Sequence, residues 1–477
     1  MRQKTLALVM MGLATATAAW AVDEQSAQQS QQTVLAVTIY NSDLALVKDA
    51  RKVKLRNGEN RLAWREVSAR IQPETALLRT TSGSGLELLE QNFDFDLLTP
   101  QKMLEKSVGE TIRVIKTHPM TGVESTEYAT VLAANNGFVL KYSDRVETEL
   151  PGNARLAFGV VPAGLRDRPT LSLQFNAEKG GERDVELSYL TGGLGWKADY
   201  VAELTGKEDS LDLNGWVTLT NTSGTSYPNA QLQLIAGDVN RAAPDYKVRP
   251  QMREMVMMAA AAPAMQEESL FEYHLYTLNR PTSIDDNQTK QVALLSANKV
   301  PVAKEYLLRG AEYYYQGQYG DLGQKMKAGV FLEFDNKGDN LGIPLPKGVV
   351  RVYKKDAAGR AQFIGEDRID HTAKGERVRL KLGEAFDINA DKKQTDYQKI
   401  AAYGRSGGVY ETAYQLEIRN AKKEAIKVRV VEPMPGDWQM VSESLPHKKE
   451  SAHTSVWDVP VPAEGKTLLT WRVRIKY

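Results

Sequence analysis

The stretch Leu469-Thr470-Trp471-Arg472-Val473-Arg474-Ile475-Lys476-Tyr477 decides the fold class. Leu469, Trp471, Val473, Ile475 and Tyr477 fall on one side of an extended chain, while Thr470, Arg472, Arg474 and Lys476 fall on the other. A period of two is the pattern of a strand with one face on a core. Upstream, 455–461, 425–431, 413–419, 378–382, 348–353, 329–334, 312–315 and 291–295 read as further short strands, separated by turns such as Asn336-Lys337-Gly338-Asp339. Earlier still, 231–235, 211–220, 200–204, 184–189 and 170–175 follow at close to the roughly 8–12-residue spacing of a β-sandwich. Helical periodicity between these strands is weak, which argues against a doubly wound α/β sheet.

The N-terminal third continues the pattern. Val34, Ala36, Thr38 and Tyr40 alternate with Leu35, Val37 and Ile39, so this strand is expected to be buried on both faces, and Asn57-Gly58 turns the chain before Arg61-Leu62-Ala63-Trp64. A helix is predicted at 99–106, with Thr99 as a hydroxyl cap, Pro100 at the first helical position and Gly109 as a stop. Beyond it, 111–116, 129–133, 138–142 and 146–150 suggest a small barrel-like module with a turn at Asn135-Asn136-Gly137. The expected fold is mostly β, with tandem β-sandwich or β-barrel-like modules and few short helices. The modules are 22–107, 108–164 and 165–477, the last broken at 241–269 by a low-complexity insertion rich in Met and Ala.

Residues 1–21 read as a cleavable signal peptide. Arg2 and Lys4 precede the apolar run Leu6–Leu13, and Ala19-Trp20-Ala21 offers small residues for cleavage after Ala21. No later segment is apolar enough for a transmembrane helix. The chain has no Cys, which excludes disulfides, thiolate metal sites, a Cys nucleophile and a lipidated Cys. Its 61 Lys and Arg nearly balance 60 Asp and Glu, so no global field favours nucleic acid. The expected location is periplasmic or secreted.

Several constellations carry possible chemistry. Gly404-Arg405-Ser406-Gly407-Gly408 spells a nucleophile elbow, and Asp437 with His447 or His453 follows in α/β-hydrolase order, yet no strand-turn-helix context surrounds Ser406. Met252, Met255, Met257 and Met258 offer thioethers to copper(I), although adaptable filling of a loose insertion explains them as well. His118, His274 and His371 lack zinc-site spacing. Gly192-Gly193-Leu194-Gly195 reads as a turn before Trp196 rather than a phosphate loop. Tyr306, Tyr313, Tyr314, Tyr315 and Tyr319 crowd one region where phenol faces could stack on a glycan, while consecutive tyrosines on a strand require at least one to be core. The terminal aromatic Tyr477 also fits the end of an outer-membrane barrel, which would need repeated strands of about 9–11 residues.

Gly195-Trp196-Lys197-Ala198-Asp199-Tyr200, Asn214-Gly215-Trp216-Val217-Thr218-Leu219-Thr220-Asn221 and Ala236-Gly237-Asp238-Val239 bring a family into view. Phe271-Glu272-Tyr273, Thr289-Lys290-Gln291-Val292, Leu345-Pro346-Lys347-Gly348-Val349-Val350-Arg351-Val352-Tyr353 and Phe363-Ile364-Gly365-Glu366 extend the match. Over about 165–477 the chain resembles proteins carrying domain of unknown function 4139, relatives of the mucoidy inhibitor A-like group. That resemblance implies a β-sandwich-rich exported bacterial protein with no established activity or catalytic residues to carry over. Such proteins tend to carry a variable insertion where the Met/Ala-rich run sits. The coiled coil frequent in the mucoidy inhibitor A-like relatives has no heptad counterpart between Val34 and Pro162.

The combined expectation is a non-enzymatic binding or structural module of the bacterial envelope, without a cofactor, whose partner is an envelope protein or glycan. A serine hydrolase and an outer-membrane barrel are the alternatives. N-terminal sequencing of exported protein is expected to read from Val22, and a chain still beginning at Met1 would contradict the signal reading.

Overall fold

The computed structural model describes residues 23–81, 85–135, 137–162, 164–237, 239–240, 265–338, 341–403 and 407–477. The signal segment 1–21, the methionines 252, 255, 257 and 258, and Ser406 lie outside the described residues. Among the described residues strands dominate, and the single α-helix is Pro100–Lys106. Its start follows local chemistry: the Thr99 hydroxyl accepts the Lys102 N–H at 3.2 Å, and Pro100 occupies a position whose N–H no helical carbonyl needs.

Strands from both sides of this helix share sheets. One eight-stranded sheet runs Met265–Leu270, Tyr273–Leu278, Tyr227–Ala236, Gln32–Tyr40, Leu44–Leu55, Gly181–Thr191 and Ile71–Thr80, with Thr282–Ile284 attached to Tyr227–Ala236. A four-stranded sheet joins Glu24–Ala27, Gly58–Arg65, Thr170–Ala177 and Leu86–Asp94. A five-stranded sheet joins Gln288–Pro301, Ser210–Asn221, Leu194–Leu204, Gly348–Lys355 and Ala361–Ile369. Their inner faces meet in one apolar core that includes Ala27, Trp64, Tyr200 and Leu380, a sandwich-like arrangement. A charge pair is sealed inside it: Arg51 meets Asp49 at 2.7 Å, donates to the Ala27 carbonyl at 2.6 Å, and so anchors the first strand.

In the chain between Leu86–Asp94 and Thr170–Ala177 comes a small open sheet in the order Val146–Glu147, Val139–Lys141, Glu124–Ala133, Thr111–Thr117 and Ala154–Ala157. Leu104 of the helix packs into its core with Val114 and Leu140. Its outer strands hold two and four residues, and no ladder joins them into a barrel.

The last sheet has nine strands: Asp437–Glu443, Gly465–Lys476, Gly407–Asn420, Arg377–Tyr403, Asp321–Asp335, Ala303–Arg309, Ile426–Pro433, Thr454–Val461 and Lys448–Ser451. Its two edge strands are consecutive in the chain. The Lys449 ammonium lies 4.7 Å from the Trp438 ring, so a side chain from one edge covers the other while no ladder closes the roll. Leu469, Trp471, Val473 and Ile475 fill the enclosed core, each at most 2% exposed. The apolar face of the final strand therefore faces protein rather than lipid, and among the described residues no sheet closes into the outer-membrane barrel considered above.

Other sequence expectations need local correction. In Gln32–Tyr40 the residues Leu35, Val37 and Ile39 are buried while Val34 is 48% exposed, because the second face is only partly covered. Met265–Leu270 is not loose but pairs antiparallel with Tyr273–Leu278. Residues 312–315 form a 3-10 turn instead of a strand.

Two long strands join the sandwich core to the rolled core. Asp321–Asp335 contributes Leu332 and Phe334 to the first and Ala328 to the second, and Arg377–Tyr403 contributes Val378 and Leu380, then Ala385, Ile388 and Ala390. Buried asparagines close loops beside these strands. Asn336 donates to the Ile343 and Ala373 carbonyls, and Asn420 donates to those of Glu424 and Pro462. Glu208, at φ +59°, reaches Lys304 on the rolled sheet and Lys354 on the five-stranded sheet.

Partial burial opposes ionisation of Glu208, but the two ammonium groups outweigh it and hold the carboxyl at about 2. A carboxyl depressed by folding stabilises above its unfolded range, and that contribution fades as pH falls through the folded value. Glu208→Gln is expected to lower the melting temperature at neutral pH, with the gap to the parent narrowing as pH falls from about 5 towards about 2. A gap constant across that window would contradict the clamp.

Candidate functional site

Gly310 to Gly320 links Ala303–Arg309 to Asp321–Asp335 at one end of the rolled sheet. Within it Glu312–Tyr315 makes a single 3-10 turn. Three residues per turn send consecutive side chains in three directions, which a strand could not do. Tyr315 points inward and is fully buried, Tyr314 lies sideways at 7% exposure, and Tyr313 faces outward at 50%.

Beneath the turn sits an ion pair inside the core. Lys392 Nζ lies 2.6 and 2.7 Å from the two carboxylate oxygens of Glu432, and the two side chains are 1% and 2% exposed. Aromatic faces complete the ammonium's surroundings, with ring centroids of Tyr314, Trp471 and Tyr414 at 4.3, 5.1 and 5.5 Å. Burial pushes the Lys392 pKa down, against the pull of Glu432. The Tyr315 hydroxyl donates to Glu432 at 2.8 Å, and burial together with that carboxylate drives its own pKa well up. Gly310 is required by the same carboxylate, since a Cβ there would lie 2.1 Å from a Glu432 oxygen.

Further buried groups hold the loop. The Gln394 carbonyl accepts the Tyr319 N–H at 2.5 Å, and its amide donates to the Gly317 carbonyl at 3.0 Å. The Tyr414 hydroxyl donates to the Tyr314 carbonyl at 2.7 Å, and the Tyr477 hydroxyl to the Tyr315 carbonyl at 2.9 Å.

Above this base the rings spread into a surface. Tyr313 meets Tyr319 edge-on at 5.7 Å, Tyr397 stacks near-parallel on Tyr410 at 5.7 Å, and Tyr410 meets Tyr477 at 5.8 Å. The Tyr477 hydroxyl bond to Tyr315 brings this second group of rings against the turn that carries Tyr313, and burial, then the Tyr410 and Tyr319 phenols, raise the Tyr397 pKa. Tyr477 is pushed up to about 12 by burial and by Tyr397, Glu312 and Tyr410. Tyr319 and Tyr477 remain 40% and 41% exposed.

A family model described as Domain of unknown function (DUF4139) matches residues 185–477. The chain belongs to the DUF4139 family. No curated protein matches it. The DUF4139 match contains the whole rolled sheet, the ion pair and all five surface tyrosines.

The residues nominated from sequence are distributed differently. Asp437 is exposed at the start of an edge strand, while Trp438 beside it points inward. His447 lies between Trp438 and Trp457, at 5.6 and 5.9 Å between ring centroids, with Nδ1 2.9 Å from Glu443. The carboxylate at His447 is thus Glu443, which also accepts the Trp457 indole N–H at 3.0 Å. His453 is exposed in the turn before Thr454–Val461, where its carbonyl accepts the Met434 N–H at 2.8 Å. Among the described residues no group of three His, Asp or Glu is placed to hold a metal ion.

Of the crowded tyrosines, Tyr306, Tyr314 and Tyr315 are core, and Tyr313 and Tyr319 form part of the DUF4139 surface. Sequence reasoning missed Tyr397 and Tyr410, because the long hairpin that delivers them lies about eighty residues away. It also missed Lys392 and Glu432, since Asp391-Lys392-Lys393 spells an ordinary solvated charge run.

Removing one partner of a buried ion pair strands the other charge, at a cost of about 3–5 kcal/mol, whereas apolar replacement of both is often near neutral. Lys392→Met is expected to destabilise the rolled core on that scale in urea unfolding followed by tryptophan fluorescence. Lys392→Met/Glu432→Leu should recover most of the loss. Equal losses in the two variants would show that the pair is not the source of the effect.

Proposed function

We propose that this DUF4139 protein is exported to the bacterial periplasm or cell envelope and works there as a non-enzymatic binding module, with the tyrosine surface as its contact face. Export is supported by the basic start, apolar run and small-residue cleavage pattern of 1–21.

One observation carries the binding role: a surface loop displaying aromatic rings is fixed from below by buried polar groups. Glu432 holds Tyr315, Lys392 backs Tyr314, and Gln394 grips the backbone at Gly317 and Tyr319. A connection needed only to join two strands would not require so many buried partners. Rings already held in place lose little freedom on contact, so more of the stacking energy goes into affinity. Tyrosine suits the task because it offers apolar area with a polar tip and few rotatable bonds.

The full mature protein is expected to co-sediment with an isolated envelope fraction containing murein and outer-membrane material. Tyr313→Ala/Tyr397→Ala should weaken that association by about tenfold, given about 0.5–1.5 kcal/mol for each aromatic contact. Unchanged sedimentation of the variant would remove the tyrosines from the role. Failure of the parent protein to sediment would overturn the envelope-binding reading itself.

A further inference from the structure

Resting on that reading, we infer that the tyrosine surface binds a neutral glycan, seating pyranose rings against the faces of Tyr313, Tyr319, Tyr397, Tyr410 and Tyr477. A sugar ring has C–H groups that pack on an aromatic face and hydroxyls that need partners at the rim. This surface supplies both. Tyr313 and Tyr319 lie 5.7 Å apart, Tyr397, Tyr410 and Tyr477 form a second group with centroids 5.7 and 5.8 Å apart, and phenolic hydroxyls stand at the ring edges. The Tyr477 hydroxyl donates to the Tyr315 carbonyl at 2.9 Å and keeps its lone pairs to accept from a sugar hydroxyl.

Charge argues against an anionic polymer. Among the described residues the cation found over these five rings is Lys399, whose ammonium lies 5.6 Å from the Tyr410 centroid. A single ammonium gives little attraction for phosphates, acidic lipid headgroups or nucleic acid, each of which needs clustered Lys or Arg.

Composition argues against a protein partner. A stable protein interface buries about 1,200–2,000 Å² around an apolar centre. Here Ile400, at 52% exposure, is the large exposed aliphatic on the same hairpin among the described residues, beside phenol rings and the Lys399 ammonium. Rigid rings without aliphatic fill suit flat, hydroxylated rings better than irregular side chains.

The test titrates the full mature protein with chitotetraose, cellotetraose and maltotetraose, and with a heparin tetrasaccharide as the anionic comparison, by calorimetry at low and high NaCl. At least one neutral oligosaccharide should bind with an affinity little changed by salt. Tyr397→Ala should weaken it by about tenfold, while Tyr397→Phe, which keeps the ring, should stay near the parent value. Near-ultraviolet circular dichroism of each variant checks that the aromatic core is intact. Preference for heparin with steep salt dependence would overturn the neutral-glycan assignment, as would no binding to any of the three neutral tetramers. If envelope sedimentation persists in those cases, the ligand class is wrong and the binding role stands; if sedimentation is also lost, both fall.

Discussion

The Lys392–Glu432 pair is the constraint around which the rolled sheet is organised. Two opposite charges almost sealed from water are tolerated only if each finds partners at close range, since desolvation alone costs several kcal/mol per ion. The carboxylate meets that condition through Lys392 and the Tyr315 hydroxyl, and the ammonium through the carboxylate and three aromatic faces. The demand is geometric. Gly310 must lack a Cβ, Tyr315 must turn inward, and Tyr314 must lie across the ammonium. With those two rings committed, the short turn leaves Tyr313 pointing to solvent.

This chain of consequence links core to surface. The base of the tyrosine face is built from Arg377–Tyr403, Gly407–Asn420, Ile426–Pro433 and Gly465–Lys476, so no loop has to order itself alone. The first of these strands also reaches the sandwich core, and Glu208 ties the two bodies again through Lys304 and Lys354. Stiffness of this kind favours recognition, because the freedom lost on binding is lost during folding instead. The His447–Glu443–Trp457 cluster fits the same account: it fills the junction between the two sheet edges and holds the turn there.

How much of this could be read from the chain depends on how local each cause is. The period-two run from Leu469 to Ile475 reports directly which residues enter a core, and the Thr99-Pro100 cap needs only neighbours to act. Tyr313-Tyr314-Tyr315 looked like a strand because aromatic residues favour strands, yet the turn forms because Glu432 and Lys392, far along the chain, require two of the rings. Lys392 gives no sign of burial in its own neighbourhood, since Lys393 beside it is exposed. Tyr397 and Tyr410 join the surface only through a strand register that spacing cannot reveal. The family resemblance reached the fold, and the DUF4139 match supports it, but neither carries chemistry to these positions.

If the buried pair preorganises the tyrosine loop, backbone hydrogen exchange of the unmodified protein tests that directly. The amides of Gly310 and Tyr319 donate to the Val431 carbonyl and the Gln394 side chain. They are expected to exchange as slowly as the core amides of Val428 and Val430, opening only when the rolled sheet opens. Exchange at the rate of frayed surface loops, while those core amides stay protected, would contradict it.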